Sequence, residues 1–171
     1  MKKLIVLSGC SGGGKSTLLS ELSSQGYAVS DEVCREIIKE YGDLDPFARG
    51  EMIITRSIAA YHQAIEMKAV KDNVIFFDRS FLEVVSYFQS IGTHRYDYLI
   101  NELRFYHSIF LTPPWKEIFS QDDERKHSFE DAVKEYDQII KFYPKHGYDM
   151  IELPKVGVKE RVKSILSVLI K

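Results

Sequence analysis

The sequence predicts a three-layer α/β/α fold, in which helices cover both faces of a five-stranded parallel sheet. Two patterns lead to this prediction. Five short apolar runs alternate with helical segments along the chain, and parallel strands are normally joined by crossover helices. The length of 171 residues also suits one domain of roughly 100 to 200 residues. We therefore expect residues 1–171 to form a single domain.

The first half of the chain predicts three strands and three helices. The strands are short and apolar, as buried strands usually are, and comprise residues 4–7, 27–30 and 74–77. The first helix carries Leu18–Leu22 and ends at Gly26, because glycine favours the turn after a helix. Ser30 or Asp31 is predicted to cap the second helix. The third helix, over about 48–70, is predicted from apolar residues at steps of four, three and four.

The second half of the chain continues the alternation. It predicts helices at residues 81–90, 96–105 and about 129–140, strands at 108–111 and 148–153, and a closing helix at 158–169. A polar stretch, Gln121–His127, interrupts two helical segments in the fourth crossover. Ligands of parallel sheets bind at the carboxyl ends of the strands. The residues that follow each strand are therefore the candidates for chemistry.

The overall charge and the cysteine content narrow the class of protein. The chain has 23 Lys and Arg against 25 Asp and Glu, and its formal net charge is −2. A nucleic-acid coat or a polybasic membrane binder needs a cationic excess, so neither is expected. No apolar run approaches the roughly 20 residues of a membrane helix. Cys10 and Cys34 are too few for a disulfide framework, which favours the cytoplasm. The sequence leaves monomer and homodimer open.

A glycine-rich motif follows the first predicted strand. It matches the phosphate-loop pattern G-x-x-x-x-G-K-[ST] and consists of Gly9, Cys10, Ser11, Gly12, Gly13, Gly14, Lys15 and Ser16. The strand before it and the helix after it are the context in which this loop binds phosphate through backbone N–H groups. We expect Lys15 to reach the β- and γ-phosphates and the Ser16 hydroxyl to ligate Mg²⁺. The motif predicts binding of ATP with Mg²⁺ through the loop from Gly9 to Thr17.

An acidic residue and an arginine follow the third predicted strand. Asp78 comes directly after four apolar residues, at the sheet edge that carries the phosphate loop, and is a natural partner of Mg²⁺. Its alternative role is to cap the helix that starts near Ser80. Motor and transporter ATPases usually follow this acid with a glutamate that activates water. Arg79 stands there instead, which favours phosphoryl transfer over hydrolysis.

The residues after the second predicted strand indicate an acceptor site. Glu32 lies one helical turn before Arg35, and residues at this spacing share one face of a helix. A carboxylate at this place can orient an acceptor hydroxyl or take its proton, and Arg35 can clamp an anionic part of the acceptor. The alternative is an ordinary surface ion pair.

The polar stretch Gln121–His127 is predicted to be part of a lid over about residues 115–130. A lid closes over the phosphates and excludes water. The phosphate loop contains Lys15 but no arginine, so a further cation for the developing charge must come from elsewhere. Arg125 and Lys126 are available for that role. The alternative is a solvated loop of mixed charge.

Taken together, these motifs resemble the small P-loop kinases of the nucleoside and nucleotide kinase superfamily, and among them an "AAA domain" group similar to nicotinamide riboside kinase domains. The resemblance implies strand order 2-3-1-4-5, a mobile lid and ATP with Mg²⁺ as the phosphoryl donor. It assigns phosphate binding to Gly12, Gly14, Lys15, Ser16 and Thr17, and further contacts with the nucleotide to Arg125. It also places Pro154–Val156 at the edge of the adenine, with Pro154 and Val156 as its contacts.

The same resemblance assigns Mg²⁺ to Ser16 and Asp78, and the acceptor to Glu32, Arg35 and Arg79. Catalysis then falls to Lys15, Glu32, Asp78, Arg79 and Arg125. Two function classes remain open. One is a kinase that phosphorylates a nucleoside-, nucleotide- or vitamin-like acceptor, and the other is a nucleotide-dependent switch ATPase without such an acceptor. The sequence has no Asn-Lys-x-Asp motif, which argues against a GTPase.

Overall fold

A five-stranded, entirely parallel sheet forms the centre of the protein. The structure, a computed structural model, describes residues 1–119 and 128–169. The strands are β1 (Lys3–Gly9), β2 (Ala28–Ser30), β3 (Val74–Asp78), β4 (Ser108–Thr112) and β5 (Asp149–Glu152). They lie in the order β2-β3-β1-β4-β5, and every neighbouring pair is parallel. The predicted strands and the predicted strand order are confirmed.

Helices cover both faces of the sheet. In the described residues they are α1 (Lys15–Ser24), α2 (Val33–Tyr41), α3 (Pro46–Glu66), α4 (Phe81–Ser90), α5 (Leu99–Glu102), α6 (Phe129–Lys145) and α7 (Val158–Leu169). Single 3₁₀ turns form at Lys71–Asn73 and Lys116–Ile118. The turn at Lys116–Ile118 is the only helical structure found in the described residues that directly precede the polar stretch.

Two apolar clusters, one on each face of the sheet, join these layers. Helices α1 and α7 pack through Leu18, Leu22 and Ile165 on the face that contains Ile5 and Phe76. The opposite face contains residues such as Val6, Phe77 and Leu111, and is covered by α3, α4 and α6. Strands β1, β3 and β4 are buried almost throughout, and such strands form continuous apolar runs in the sequence. No helix in the described residues is long and apolar enough to cross a membrane.

Two predicted helices have the wrong bounds. Helix α3 covers Pro46–Glu66 rather than 48–70, because the Asp45 side chain accepts the Ala48 N–H at 2.9 Å and proline is favoured in the first turn. Helix α5 covers only Leu99–Glu102 rather than 96–105. The Phe105 N–H points instead at the Tyr148 hydroxyl, 3.3 Å away, so this backbone is tied to a neighbouring segment.

The caps of α2 and α4 settle two alternatives. Helix α2 is preceded by Glu32, and no side chain caps it, so the predicted cap at Ser30 or Asp31 is wrong. Helix α4 is capped by Ser80, whose hydroxyl oxygen accepts the Leu82 N–H at 3.2 Å. Asp78 is therefore not the cap of α4, and its carboxylate is left for another role.

Candidate active site

The phosphate-loop motif forms a tight turn between β1 and α1. Gly9 has φ +114°, and a Cβ at this position would lie 2.3 Å from the Thr112 carbonyl oxygen of β4. Gly14 has φ +83° and directly precedes α1. Any residue with a Cβ would be strained at both positions. Gly9 therefore lets the loop approach β4 closely. Gly14 lets the backbone turn into α1, whose first N–H groups have no partner within the helix.

Lys15 lies folded against this loop. Its side chain is buried, and its Nζ donates to the Cys10 carbonyl oxygen at 3.2 Å. Burial and the Arg79 charge lower the pKa of Lys15, whereas the carboxylates of Asp78, Glu32 and Glu83 oppose that shift. A cation that is only partly compensated by its neighbours is suited to an anionic ligand.

Asp78 ends β3 beside the loop and is almost completely buried. Its Oδ1 accepts no hydrogen bond from the residues that the structure describes. Burial raises the pKa of Asp78 to about 6, although the charges of Lys15 and Arg79 act in the opposite direction. A buried carboxylate oxygen that accepts no hydrogen bond is energetically unfavourable. A divalent cation bound to this oxygen would remove that cost. Asp78 and the exposed hydroxyl of Ser16, which line the same cavity, fit a Mg²⁺ ligand set completed by phosphate oxygens and water.

The raised pKa of Asp78 predicts that Asp78→Asn stabilises the ligand-free protein at neutral pH. Between the ordinary pKa of 3.8 and the folded-state pKa of about 6, the folded protein binds more protons than the unfolded chain. Its free energy of unfolding therefore falls as the pH rises through this window. At pH 7.5 we expect Asp78→Asn to raise the free energy of unfolding by up to about 3 kcal/mol, as measured by urea denaturation.

Two comparisons test this stability prediction. At pH 3.5, below the ordinary pKa of 3.8, Asp78 is mostly protonated in both states, so the variant and the wild type should differ much less than at pH 7.5. Asp137→Asn, an exposed carboxylate on α6, should change neither measurement. A lower stability of Asp78→Asn than of the wild type at pH 7.5 would show that its ionised carboxylate is compensated in the folded protein.

Arg79 forms ion pairs with three carboxylates of the cavity. Its backbone has φ +66°, which is unusual for a residue other than glycine, and its N–H donates to the Leu7 carbonyl oxygen at 2.9 Å. The guanidinium lies 2.6 Å from Glu83, 3.5 Å from Glu32 and 3.6 Å from Glu135. Although burial opposes it, the surrounding carboxylates raise the pKa of Arg79 well above its ordinary value. Arg79 is thus permanently charged and tied to three helices.

Glu32 faces the same arginine from the start of α2. Its carboxylate accepts from Arg35 Nε at 3.0 Å and lies 3.5 Å from Arg79 Nε. Burial alone would raise the pKa of Glu32, but the charges of Arg79, Lys15 and Arg35 outweigh it and lower the pKa. The predicted Glu32–Arg35 ion pair therefore forms. It is partly buried and lines the cavity, whereas an ordinary surface pair would face solvent.

Two acidic residues of this network were missed by the sequence analysis. Glu83 on α4 accepts from Ser8 Oγ at 2.6 Å in addition to its ion pair with Arg79. The four-residue spacing was not a usable signal, because the rule for i, i+4 pairs holds within one helix, whereas Arg79 has φ +66° and precedes α4. Glu135 on α6 had no usable signal either, since it reaches Arg79 only through the fold.

Arg161 of α7 was also missed, although it braces the phosphate loop. Its side chain is buried, donates to the Gly13 carbonyl oxygen at 3.0 Å, and lies over the Trp115 ring with a separation of 5.4 Å. Its Nε has no acceptor among the described residues, and burial lowers its pKa. The usable signal was its spacing, because Arg161 falls on the face of α7 that buries Val158, Val162 and Ile165.

A single cavity of about 1130 Å³ brings most of the predicted site residues together. Of those residues, the cavity is lined by Ser11, Gly12, Gly14, Lys15, Ser16, Thr17, Glu32, Arg35, Asp78 and Arg79. Gly9 and Gly13 lie behind the loop and pack against Thr112. Pro154 and Val156 are exposed after β5 and do not line it. Arg125 and Lys126 lie outside the described residues, so their assignment to a lid stays a prediction.

Solved structures with the same fold include several phosphotransferases. The chain is similar to NadR in complex with NR (TM-score 0.77, 16% identity, covering 97% of this chain and 51% of that one). It is also similar to deoxyadenosine kinase from M. mycoides with bound dATP (TM-score 0.72, 19% identity, 99% and 100% covered). A third is thymidylate kinase from Candida albicans (TM-score 0.67, 16% identity, 98% and 91% covered). At these identities the likeness establishes the fold.

A comparison with curated protein sequences found no significant match. A family model described as "AAA domain" matches residues 4–161. The match spans most of the chain and includes the phosphate loop, Glu32, Asp78 and Arg161. The expected P-loop kinase-like fold is confirmed by the strand order and by the solved structures that share it. The chain belongs to the AAA domain family, with the fold of the P-loop nucleoside and nucleotide kinases.

Proposed function

We propose that this protein is a kinase that transfers the γ-phosphoryl group of ATP, with Mg²⁺, to a hydroxyl of a small molecule. The observation that carries the proposal is the shared cavity of Lys15, Asp78, Arg79 and Glu32. Phosphoryl transfer requires a site for the phosphates, a carboxylate that can support a metal, and charged groups that position the acceptor. Lys15, Asp78 and the Glu32–Arg79 pair are suited to these three roles in turn. The solved structures with this fold include a deoxyadenosine kinase and a thymidylate kinase.

The donor end of the cavity is suited to ATP. The N–H groups of the phosphate loop and the Lys15 ammonium would hold the phosphates. Ser16 and Asp78 would hold Mg²⁺, which neutralises charge on the phosphates when it is bound. No group of three or more potential metal-ligating His, Cys, Asp or Glu side chains occurs in the described residues. A metal here would therefore depend on the nucleotide for most of its ligands.

The size of the cavity supports a second substrate. Pockets for single small ligands usually occupy about 300 to 1,000 Å³, whereas this cavity measures about 1130 Å³. It extends from the phosphate loop to residues of α2, α3, α4 and α6, including Ile38, Ile53 and Val84. These residues offer apolar walls for an acceptor.

Glu32 and Arg79 are placed to handle the reacting hydroxyl. In the proposed transfer, the acceptor oxygen forms a bond to the γ-phosphorus, while the bond from this phosphorus to the β,γ-bridging oxygen breaks. ADP leaves with the electron pair of that bond. The hydroxyl proton passes to the Glu32 carboxylate or through it to water. Arg79 holds Glu32 in place through their ion pair.

Thermal unfolding in the presence of ligands tests the proposal. A ligand that binds the folded protein raises its apparent stability, so a non-hydrolysable ATP analogue with Mg²⁺ should raise the Tm. Nucleosides, nucleotides and vitamins are then added to that complex, and compounds that raise the Tm further are incubated with ATP and analysed for phosphorylated product. An ATP analogue without effect would contradict the donor site, and hydrolysis without any product would favour a switch ATPase.

A further inference from the structure

Outside the phosphate loop and Asp78, the described lining of the cavity is acidic. Among the described residues that line it beyond the phosphate loop and Asp78, six are carboxylates: Asp31, Glu32, Asp43, Glu83, Asp131 and Glu135. Three are cations: Arg35, Arg49 and Arg79. A surplus of this kind in a cleft repels anions and attracts cations, and it imposes no such penalty on neutral ligands.

The three arginines are already paired with these carboxylates. Arg79 contacts Glu32, Glu83 and Glu135, as described above. Arg35 donates to Glu32 at 3.0 Å, and Arg49 lies 3.5 Å from Asp43. Each of these three arginines, which are the described ones that line the cavity, therefore has its charge at least partly neutralised before any substrate arrives.

An anionic acceptor needs the opposite arrangement. Phosphates are usually bound by arginines whose N–H groups are free to form paired, charge-assisted hydrogen bonds. At this site a phosphate would have to displace Glu32, Glu83 or Glu135 from Arg79 and would leave those carboxylates beside its own charge. Lys15 offers no alternative, because it lies on the phosphate loop and belongs to the donor.

We infer that the acceptor is a hydroxyl compound without an anionic group, a nucleoside rather than a nucleoside monophosphate. The inference rests on the proposed function and narrows its substrate class. Glu32 provides the acceptor for the hydroxyl proton, and the apolar side chains of Ile53 and Val84 provide walls for an uncharged ring. The paired arginines position the carboxylates and do not bind substrate charge.

Matched substrate pairs test the inference with the wild-type protein. Adenosine, thymidine and nicotinamide riboside are each compared with their own 5′-monophosphate, in the presence of ATP and Mg²⁺, and the phosphorylated product is measured by mass spectrometry. We expect at least one nucleoside to be phosphorylated with a kcat/KM at least about tenfold higher than that of its monophosphate, because juxtaposed like charges oppose binding.

The possible results separate this inference from the proposed function. A monophosphate phosphorylated more efficiently than its nucleoside overturns the inference but supports a kinase. Failure of every pair to give product, with a folded protein that binds the ATP analogue, overturns the inference, whereas the proposed function fails only if the wider screen described above also yields no phosphorylated product.

The variant Glu135→Gln tests whether charge is the cause. It removes one carboxylate from Arg79 and should reduce the ratio of nucleoside to monophosphate kcat/KM several-fold. Asp137→Asn removes an exposed charge from the same helix, outside the cavity, and should leave the ratio unchanged. A merely structural role of Glu135 would lower both values together and keep the ratio, which would overturn the electrostatic explanation.

Discussion

Replacing Lys15 with alanine is expected to lower the rate of phosphoryl transfer on the order of 10² to 10³ in a protein that remains folded. The Lys15 ammonium is the one cation that the phosphate loop supplies, and loss of a preorganised charge-stabilising donor typically has an effect of this size. The fold should tolerate the change, because burial already disfavours the charged form of Lys15. The measurements are product formation and nucleotide affinity, with circular dichroism to confirm folding.

Two further variants make the Lys15 result interpretable. Lys15→Met keeps most of the side-chain volume without the charge, and should lower the rate as much as Lys15→Ala. Lys68→Ala removes an exposed lysine beyond α3 and should retain wild-type activity. Unchanged turnover in a folded Lys15→Ala protein would end the assignment of the loop to ATP.

Replacing Glu32 with glutamine is expected to lower transfer by roughly 10² to 10⁴ while ATP with Mg²⁺ still binds with near-normal affinity. That range is typical when a positioned proton acceptor is removed. Glutamine has nearly the same shape but no negative charge, so it cannot take the hydroxyl proton. Arg79 would keep its ion pairs with Glu83 and Glu135. Glu36→Gln, an exposed change on the same helix, is the matched control.

Comparison with Asp78→Asn separates the two function classes. A kinase should lose transfer in both variants. A switch ATPase has no acceptor, so Glu32→Gln would leave slow basal hydrolysis largely intact while Asp78→Asn abolished it. If Glu32→Gln weakens ATP binding as much as Lys15→Ala does, Glu32 serves the nucleotide and the assignment of the acceptor site is wrong.

The donor end of the site could be predicted because its signals are local. The phosphate loop is contiguous in sequence, and its glycines are required by the loop's own backbone. Asp78 and Glu32 follow predicted strands directly, so the rule that ligands bind at the carboxyl ends of parallel strands was sufficient to bring them together. The strand order came from the resemblance, and the structure confirmed it.

The ion-pair network could not be predicted to the same extent. Glu135 meets Arg79 across 56 positions of chain, and no periodic pattern records such a contact. The ends of α3 and α5 depend on one cap at Asp45 and on one hydrogen bond from Phe105 to Tyr148. Helix propensity is a weak guide where such tertiary contacts decide.

The contact between Arg161 and Gly13 has a consequence for the order in which the protein is assembled. The two residues are separated by 148 positions, so the loop that is made first during synthesis obtains this brace only when α7 docks. Domains generally fold as units as the chain emerges from the ribosome. A nascent chain that ends before α7 would contain the whole phosphate-loop motif without its native support. We therefore expect nucleotide binding to appear late in biosynthesis, once the helix that carries Arg161 has been released.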